Sequence, residues 1–444
     1  MKKTIKILLW SVVAILIIGL AAVVFWWMRK PQIITFDTGD KVTLLSVDYG
    51  KRHVPPGTKA PASTNTTVRV RARGGAFNTT NDIMVVWVRQ EHDPQQYAYF
   101  QYYLYDKDGT ACVESFGGAG GNRQGAEVVG IQFPAFPRRQ GKFVLRVQEQ
   151  SNGGQEMSDQ KIFIRNPKRS SVAGWKADSL PNTQDDDDLS VTLTKLVAGA
   201  AMPYQRDQDD ADDAANKGVQ ATFNIERNGR SVTNWEPVSV ETSDATGNHL
   251  NGNVAGNQWN GNDDVATYQY GLWTDEAAWK LRLEFSQQSG FADSELWSAQ
   301  NMPLEPGRQQ DFYNFNPRRA NTNSVAAETD LNGYHLKIFT PKQFTDAGLN
   351  AYLQGGLSIQ VTPSLAEGMR MTLVKLTDDQ TNDIANMNQG WGGGGANGTI
   401  YHYGLRDLGG ATNLNLTIAL HKSRFVEFTV KPEKAPPAAV PPAQ

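Results

Sequence analysis

The sequence predicts an all-β protein in which three tandem antiparallel β-sandwich modules follow one N-terminal transmembrane helix. Two observations predict the sandwiches. Short apolar or alternating runs follow one another between closely spaced turn signals, and a pattern of strand, turn and strand occurs three times along the chain. A third observation, one long uncharged apolar run near the start, predicts the helix.

The apolar run covers residues 7–28, reads ILLWSVVAILIIGLAAVVFWWM and contains no charged residue. At a rise of about 1.5 Å per residue, a helix of this length crosses a hydrocarbon layer of about 30 Å. The alternative is a signal peptide cleaved near Ala21, but such peptides have a shorter apolar region that ends in small residues. Phe25, Trp26 and Trp27 lie near the end of this run and favour a retained anchor.

Charged residues on either side of the run predict its orientation. Three lysines precede it, at positions 2, 3 and 6, while one arginine and one lysine follow it. This small bias places residues 1–6 in the cytoplasm. We therefore expect a single-pass protein that contacts the lipid bilayer through residues 7–28, with the bulk of the chain in the periplasm or at the cell surface.

A repeated pentapeptide divides the rest of the chain. YQYGL at residues 268–272 returns as YHYGL at residues 401–405, and a degenerate copy, IQFPA, occupies residues 131–135. An alternating strand pattern starts at the same distance after each copy, and a strand that runs into an acidic turn precedes each copy. The repeat predicts three modules and a tail: residues 33–167, 170–306 and 307–432, then a disordered Pro/Ala segment at 433–444.

The last repeat illustrates the predicted strand geometry. Leucine and isoleucine alternate with asparagine and threonine over residues 413–420, and residues 421–424 are predicted to turn the chain so that Phe425 and Val426 join the same inward face. These closing strands resemble those of immunoglobulin-like or fibronectin-type-III-like modules in cell-envelope proteins. The resemblance is one of architecture, and it implies presentation or binding without catalytic residues to transfer.

Composition excludes some partners and ligands. Lys and Arg number 43 against 46 Asp and Glu, so a nucleic-acid partner is not expected. Cys112 is the only cysteine, which excludes an intrachain disulfide and a thiol-ligated zinc site within one chain. We interpret Cys112 as a small strand residue. The six histidines never occur at the spacing of a metal-binding pair.

A run of aspartates surrounds the strand predicted at residues 189–197. Loop carboxylates of this density could chelate calcium, and we take Asp185, Asp187, Asp209, Asp210 and Asp213 as the candidate ligands. The spacing does not match an EF-hand loop. The other interpretation, a solvated acidic loop that binds no metal, stays open, and no other cofactor is expected.

Catalytic patterns are weak. A glycosidase would need two carboxyl groups about 5 to 9.5 Å apart across a cleft, and Glu241 with Asp244 is the pair considered. Their positions near a strand end favour a turn contact instead. Five tyrosines between residues 97 and 105 could form a platform on which a sugar stacks, although core strands are equally aromatic. We therefore expect a binding protein and not an enzyme.

One tryptophan is a candidate contact residue. Trp391 lies in the glycine-rich segment 386–399, which is predicted to be a loop, and its neighbours carry no side chain that could cover an indole. An exposed tryptophan has the properties of a binding hot spot. The sequence thus predicts a membrane-anchored extracytoplasmic protein that binds a protein partner. A carbohydrate-binding or carbohydrate-active protein is the alternative, and the oligomeric state is left open.

Overall fold

The structure is a computed structural model that describes most of the chain. The described residues are 32–56, 77–92, 98–105, 112–114, 125–151, 156–167, 169–201, 217–254, 256–260, 264–269, 271–313, 324–346, 352–393 and 398–435. Within these ranges no helix has both the length and the apolar character needed to cross a bilayer. The predicted anchor at residues 7–28 lies outside them and stays a prediction.

The first sheet pair consists of two four-stranded antiparallel sheets. One has the order β1-β2-β3-β6, with β1 (Ile33–Thr35), β2 (Lys41–His53), β3 (Phe77–His92) and β6 (Gly125–Phe133). The other has the order β5-β4-β7-β8, with β4 (Ala98–Tyr105), β5 (Cys112–Glu114), β7 (Lys142–Ser151) and β8 (Glu156–Arg165). Contacts between the two layers show that they pack together. The rings of Phe36 and Phe100 stack at 5.2 Å, and buried Gln90 donates to the Tyr102 hydroxyl at 2.7 Å.

The second sheet pair has a seven-stranded and a four-stranded layer. The larger follows the path β15-β16-β11-β10-β29, with β12 on β11 and β9 on β10: β9 (Asn182–Asp186), β10 (Leu189–Ala201), β11 (Lys217–Arg227), β12 (Arg230–Ser231), β15 (Gly256–Asn260), β16 (Asp264–Gln269) and β29 (Glu433–Lys434). The smaller has the order β14-β13-β17-β28: β13 (Trp235–Asp244), β14 (His249–Asn253), β17 (Trp279–Gln287) and β28 (Arg424–Val430). Phe223 of β11 packs edge to face on Phe285 of β17 at 5.5 Å.

The third sheet pair has a three-stranded layer, β18-β27-β24, and a seven-stranded layer. The former contains β18 (Leu296–Pro303), β24 (Met369–Asp378) and β27 (Asn413–Lys422). The latter follows the path β19-β22-β23-β21-β20, with β26 on β23 and β25 on β26: β19 (Glu305–Gly307), β20 (Val325–Leu331), β21 (Tyr334–Phe339), β22 (Lys342–Phe344), β23 (Gly355–Thr362), β25 (Asn386–Gly393) and β26 (Thr399–Leu405). Two short helical segments, a 3₁₀ turn (Asp293–Glu295) and α1 (Gln309–Tyr313), accompany these strands.

The second and third sheet pairs exchange strands. After β17 the chain leaves the second pair, and β18 pairs with β27 of the third pair. After β27 the chain returns, and β28 pairs with β17 of the second pair. The alternation in β27 is as predicted, with Leu414, Leu416, Ile418 and Leu420 buried. The predicted turn at residues 421–424 was wrong, because β28 does not pair with β27 but continues into the neighbouring pair.

The hydrophobic cores do not follow the predicted boundaries one to one. One continuous cluster of buried side chains runs from Ile34 in the first sheet pair to Val430 in the second. A separate cluster, from Ala299 to Leu420, fills the third pair. The all-β prediction, with several antiparallel sheets and sandwich-like packing, is confirmed. The boundaries at 167, 306 and 432 stay predictions, and the first residues of the predicted tail form β29.

Candidate functional site

Polar contacts hold the crossing from the third sheet pair into the second. Ser423 is the only residue between β27 and β28, and it is buried. Its N–H donates to the carbonyl oxygen of Gly368 at 2.8 Å, and its hydroxyl donates to Glu284 Oε1 at 2.6 Å. The crossing is therefore held by a backbone group of the third pair and a carboxylate of the second.

Glu284 lies on β17 at the centre of this region and is only 9% exposed. Arg370 of β24 binds it through two contacts, Nε to Oε1 at 2.8 Å and Nη2 to Oε2. Such two-point contacts are the stronger kind of ion pair. Burial opposes ionisation of Glu284, but the hydrogen bonds from Arg370 and Ser423 outweigh it and hold the pKa of this carboxyl below its ordinary value. Glu284 thus carries a charge that ties the two sheet pairs together.

Arg282 makes a second connection on the same face of β17, because residues two apart on a strand point the same way. Its guanidinium donates to Glu367 of the third sheet pair and lies 3.6 Å from Glu241 Oε2 of β13. It also covers the ring of Phe425, with its carbon 4.4 Å from the ring centre. Arg282 therefore bridges carboxylates from both sheet pairs across an aromatic surface.

A cleft of about 340 Å³ opens between these side chains. The sequence builds it by alternation: β13, β14, β17 and β28 bury apolar residues on one face and present polar ones on the other. Its lining consists of Ser239, Glu241, Asn251, Arg282, Glu284, Glu367 and Phe425. The volume is at the low end of the range of small-molecule sites, about 300 to 1,000 Å³. Carboxylate acceptors, amide and guanidinium donors and one aromatic wall can together bind a ligand rich in hydroxyl groups.

A different polar joint connects the first and second sheet pairs. Asn248, after β13, accepts hydrogen bonds through Oδ1 from the N–H of Phe136 at 3.0 Å and from Arg138 Nε at 2.9 Å. Arg139 Nε donates to Glu276 Oε1 at 2.7 Å. Burial raises the pKa of Glu276 above its ordinary value, although Arg139 opposes this. This joint therefore contains a carboxyl whose ionisation the fold disfavours, in contrast to Glu284.

The acidic turns that the repeat predicted have a defined structural role. Asp244 accepts from the N–H of Thr246 at 2.8 Å, and its other oxygen accepts from Asn248 Nδ2 at 2.8 Å. Asp378 repeats this in the third pair, accepting from the N–H of Gln380 at 2.8 Å and from Asn382 Nδ2 at 2.7 Å. Each aspartate closes a turn after a strand. In the second sheet pair the same turn also supplies the asparagine of the joint.

The aspartates proposed as calcium ligands are only partly described. Asp185 is exposed on β9, and Asp187 Oδ2 accepts from Arg424 at 3.2 Å. The two aspartates beside Asp187 are also engaged, because Asp186 accepts from the N–H of Phe425 at 2.8 Å and Asp188 binds Arg227 and Arg424. Among the described side chains, no group of three or more His, Cys, Asp or Glu is arranged to hold a metal ion. Asp209, Asp210 and Asp213 lie outside the described residues, so the calcium site stays a prediction.

Glu241 and Asp244, the carboxylate pair considered for a glycosidase, do not face each other, and Asp244 makes the turn contact that was favoured instead. Glu241 faces the cleft, whereas Asp244 is 2% exposed and lies among the buried residues on the other face of β13. The described tyrosines of residues 97–105 follow the interpretation that they belong to core strands. Tyr102, Tyr103 and Tyr105 are buried, because both faces of β4 are covered. The carboxylate pair is therefore not available as a catalytic dyad, nor are the three described tyrosine side chains available to a sugar.

The remaining candidates are Cys112 and Trp391. Cys112 lies in strand β5 opposite Tyr105, as its interpretation as a strand residue predicts. The segment around Trp391 is not a loop over its first part: residues 386–393 form β25, which pairs with β26, and Trp391 is opposite Tyr401. Glycine disfavours strand structure, but here the backbone pairing with β26 outweighs that tendency. The role of the Trp391 side chain in binding stays a prediction.

Comparison with known proteins adds no assignment: no protein-family model matches the chain, and no curated protein matches it either. The likeness to immunoglobulin-like modules therefore rests on architecture alone.

Sequence reasoning missed the residues of the crossing, Arg282, Glu284, Glu367, Arg370 and Ser423. Arg282 and Glu284 alternate with Leu281 and Leu283 in the sequence, but nothing in that alternation indicates that another sheet pair covers their face. One signal was available. The segment joining β27 to β28 contains none of the strongest turn formers, Gly, Asn, Asp and Pro, but only Ser423, which favours turns more weakly.

Proposed function

We propose that this chain is a membrane-anchored extracytoplasmic binding protein that presents tandem immunoglobulin-like or fibronectin-type-III-like β-sandwich modules to a protein partner in the cell envelope. The observation that carries the proposal is the exchange of β18 and β28 between the second and third sheet pairs. Strand exchange fixes the spacing and angle between neighbouring modules. A scaffold that holds several contact surfaces in register needs such fixed joints.

Two further observations support the proposal, one for the fixed joints and one for the membrane anchor. The buried polar joint at Asn248 and Glu276 holds the first sheet pair on the second through hydrogen bonds and an ion pair. The uncharged run at residues 7–28 supplies an anchor directly before the first strand. Binding is proposed in preference to catalysis, because the carboxylate pair considered for hydrolysis points to opposite faces of β13.

The topology is tested by thiol labelling in spheroplasts with a membrane-impermeant maleimide. Cys112→Ser removes the only native thiol, and single cysteines are then introduced by Tyr352→Cys and Lys3→Cys. Tyr352 is 80% exposed, so the label has access to it. We expect position 352 to react in intact spheroplasts and position 3 to react only after permeabilisation. The reverse pattern would refute the proposed orientation.

The binding function is tested by crosslinking the full chain in its native membrane. A matched control carries residues 1–31 fused to an unrelated soluble domain. We expect a discrete crosslinked protein with the full chain and none with the control, because the modules provide the contact. Identical products from both chains would show that the anchor alone determines the neighbours.

Carbohydrate binding is the second candidate, and the polar cleft beside Arg282 favours it. Calorimetric titration of the full chain with a panel of oligosaccharides tests it. If a sugar binds in the cleft, Glu241→Gln weakens binding at least about tenfold, since it removes a charged acceptor from the lining. Glu427→Gln is the control, because Glu427 pairs with Lys280 at 2.9 Å on the same sheet but does not line the cleft. If no oligosaccharide of the panel binds, carbohydrate binding is refuted and protein binding is the proposal that remains.

A further inference from the structure

An exposed apolar surface lies where the described chain begins. Phe163 on β8 is 63% exposed and Ile33 on β1 is 58% exposed, the two highest values among large apolar residues in the first sheet pair. The two strands belong to different layers but lie side by side, because Gln32 Nε2 donates to the carbonyl oxygen of Phe163 at 3.0 Å. We call Ile33, Phe163 and the exposed side chains beside them the β1/β8 face.

Cationic side chains flank this face. Lys161 and Arg165 are exposed two residues before and after Phe163, so all three point to the same side of β8. Asp159, two residues before Lys161 on β8, pairs with Arg146 at 2.7 Å. An aromatic side chain between two exposed cations suits the interface of a bilayer that contains anionic lipids.

The short stretch of chain between the predicted anchor and β1 keeps this face near the membrane. The predicted anchor ends at Met28, and Gln32 follows it in the fourth position. A chain extends at most about 3.6 Å per residue, so Gln32 lies within about 14 Å of the end of the apolar run. The headgroup region adds about 5 to 8 Å to each side of the hydrocarbon layer. The first strand and its neighbour β8 are thus within reach of lipid headgroups.

We propose that the β1/β8 face contacts the membrane, with Ile33 and Phe163 entering the headgroup layer and Lys161 and Arg165 binding lipid phosphates. The inference rests on the proposed anchor and adds a second contact to it. One tether leaves a domain free to rotate and tilt. A second contact orients the first sheet pair and, through the fixed joints, the rest of the chain.

Spin labelling of the full chain in nanodiscs tests this contact. The Cys112→Ser background carries one label at a time, introduced by Gly19→Cys in the predicted anchor, Thr35→Cys on the β1/β8 face or Tyr352→Cys as a distant control. Thr35 is exposed and its replacement leaves Ile33 and Phe163 intact. Collision with oxygen, which enters lipid, is compared with collision with an aqueous nickel complex. In discs with anionic lipid we expect position 35 to be at least about threefold less accessible to nickel than position 352.

Variants separate contact from proximity. Ile33→Gln with Phe163→Gln removes the apolar side chains, and we expect it to return position 35 to the nickel accessibility of position 352. Val374→Gln replaces an exposed apolar residue of the third sheet pair and should change nothing. Lys161→Gln with Arg165→Gln should lower protection in anionic discs only.

The outcomes distinguish this inference from the proposed function. If position 19 is accessible to nickel, the anchor itself is wrong. If position 19 is protected and position 35 matches position 352, the anchor stands and the membrane contact is refuted. If the glutamine pair at 33 and 163 leaves position 35 protected, proximity explains the protection and the contact is refuted as well. Equal protection with zwitterionic lipid would refute the role of the two cations.

Discussion

The first sheet pair and the two that follow it place their closing strands differently. In the first, β8 follows β7 in sequence and pairs with it, so the sheet closes on itself. In the second and third, the strand after β17 pairs with β27 and the strand after β27 pairs with β17. The same repeated pattern therefore yields one sheet pair that exchanges no strand and two that exchange strands, although the first shares its buried cluster with the second.

The connection from β27 to β28 accounts for one of the two crossings. A two-residue loop is the shortest common connection that reverses a strand onto its neighbour. Ser423 alone separates β27 from β28, so the chain cannot fold back and has to continue forward into the next sheet. The bonds from Ser423 to Gly368 and Glu284 then fix the point of crossing. The one-residue connection thus accounts for the crossing after β27, whereas the crossing after β17 runs through residues 288–295.

The largest expected effect comes from ending the chain after Ser423. This removes Val426, Phe428 and Val430, which are buried against β17 in the second sheet pair. One sheet would lose its edge strand, and the core would lose three buried apolar side chains. We therefore expect the second pair not to fold. Hydrogen exchange measured by mass spectrometry should show loss of protection in residues 217–287. The matched control deletes residues 436–444, and unaltered protection in the longer truncation would refute the role of β28.

The next prediction concerns coupling between the interlocked pairs. Leu283 and Leu416 are buried in the second and third sheet pairs, and truncation of either to Ala should cost about 2 to 5 kcal/mol. The repeat alone predicts that each change affects only its own module. Strand exchange predicts instead that either change lowers the opening free energy of amides in both pairs. Hydrogen exchange resolved by region measures this.

Leu145→Ala in β7 is the control, since this leucine is equally buried in the self-closing first sheet pair. Its effect on amides of the third pair should be much smaller than that of Leu283→Ala. If Leu283→Ala leaves the third pair unchanged, the interlocked pairs behave as independent modules and the comparison with the first pair fails.

The residues of β27 show which features of the fold the sequence predicts and which it does not. Alternation in β27 correctly predicted that Leu414, Leu416, Ile418 and Leu420 face a core, because side-chain direction follows from strand geometry. Which core they share with which strand depends on long-range pairing, which alternation does not encode. The same holds for the cleft: alternation separates Arg282 and Glu284 from the leucines of β17, but their partners Glu367 and Arg370 are more than eighty positions away. The acidic turns were found because Asp244 and Asp378 act locally.

The two joints should respond to pH in opposite directions. The pKa of Glu284 is lowered from an ordinary value of 4.5, so its contribution to stability is present above that value and is lost as pH falls through the folded pKa. The pKa of Glu276 is raised from 4.5, so its contribution is present below that value and is lost as pH rises through the folded pKa. We expect acid to weaken the joint at the crossing and neutral pH to weaken the joint at Asn248.

Unfolding free energies measured between pH 3 and pH 7 test this contrast. Glu284→Gln should remove the loss of stability on acidification that arises at the crossing, and Glu276→Gln should remove the loss on the neutral side. Both variants keep a side chain of the same shape. If Glu276→Gln instead steepens the loss below pH 4.5, the carboxyl is stabilised in its ionised form and the assigned contrast is wrong.

The smallest expected change in stability is at Trp391, on strand β25 of the third sheet pair. Among the described strands β25 pairs only with β26, so its other edge could pair with another chain. If Trp391 serves as a contact residue, Trp391→Ala should alter the unfolding free energy by less than about 0.5 kcal/mol, because an exposed side chain contributes little to folding. It should at the same time weaken retention of the partner recovered by crosslinking. Trp235→Ala is the matched control, since Trp235 is 2% exposed and its truncation should cost about 3 to 5 kcal/mol. A loss of that size at Trp391 would mean that the indole belongs to the core, and undiminished partner retention would remove it from the interface.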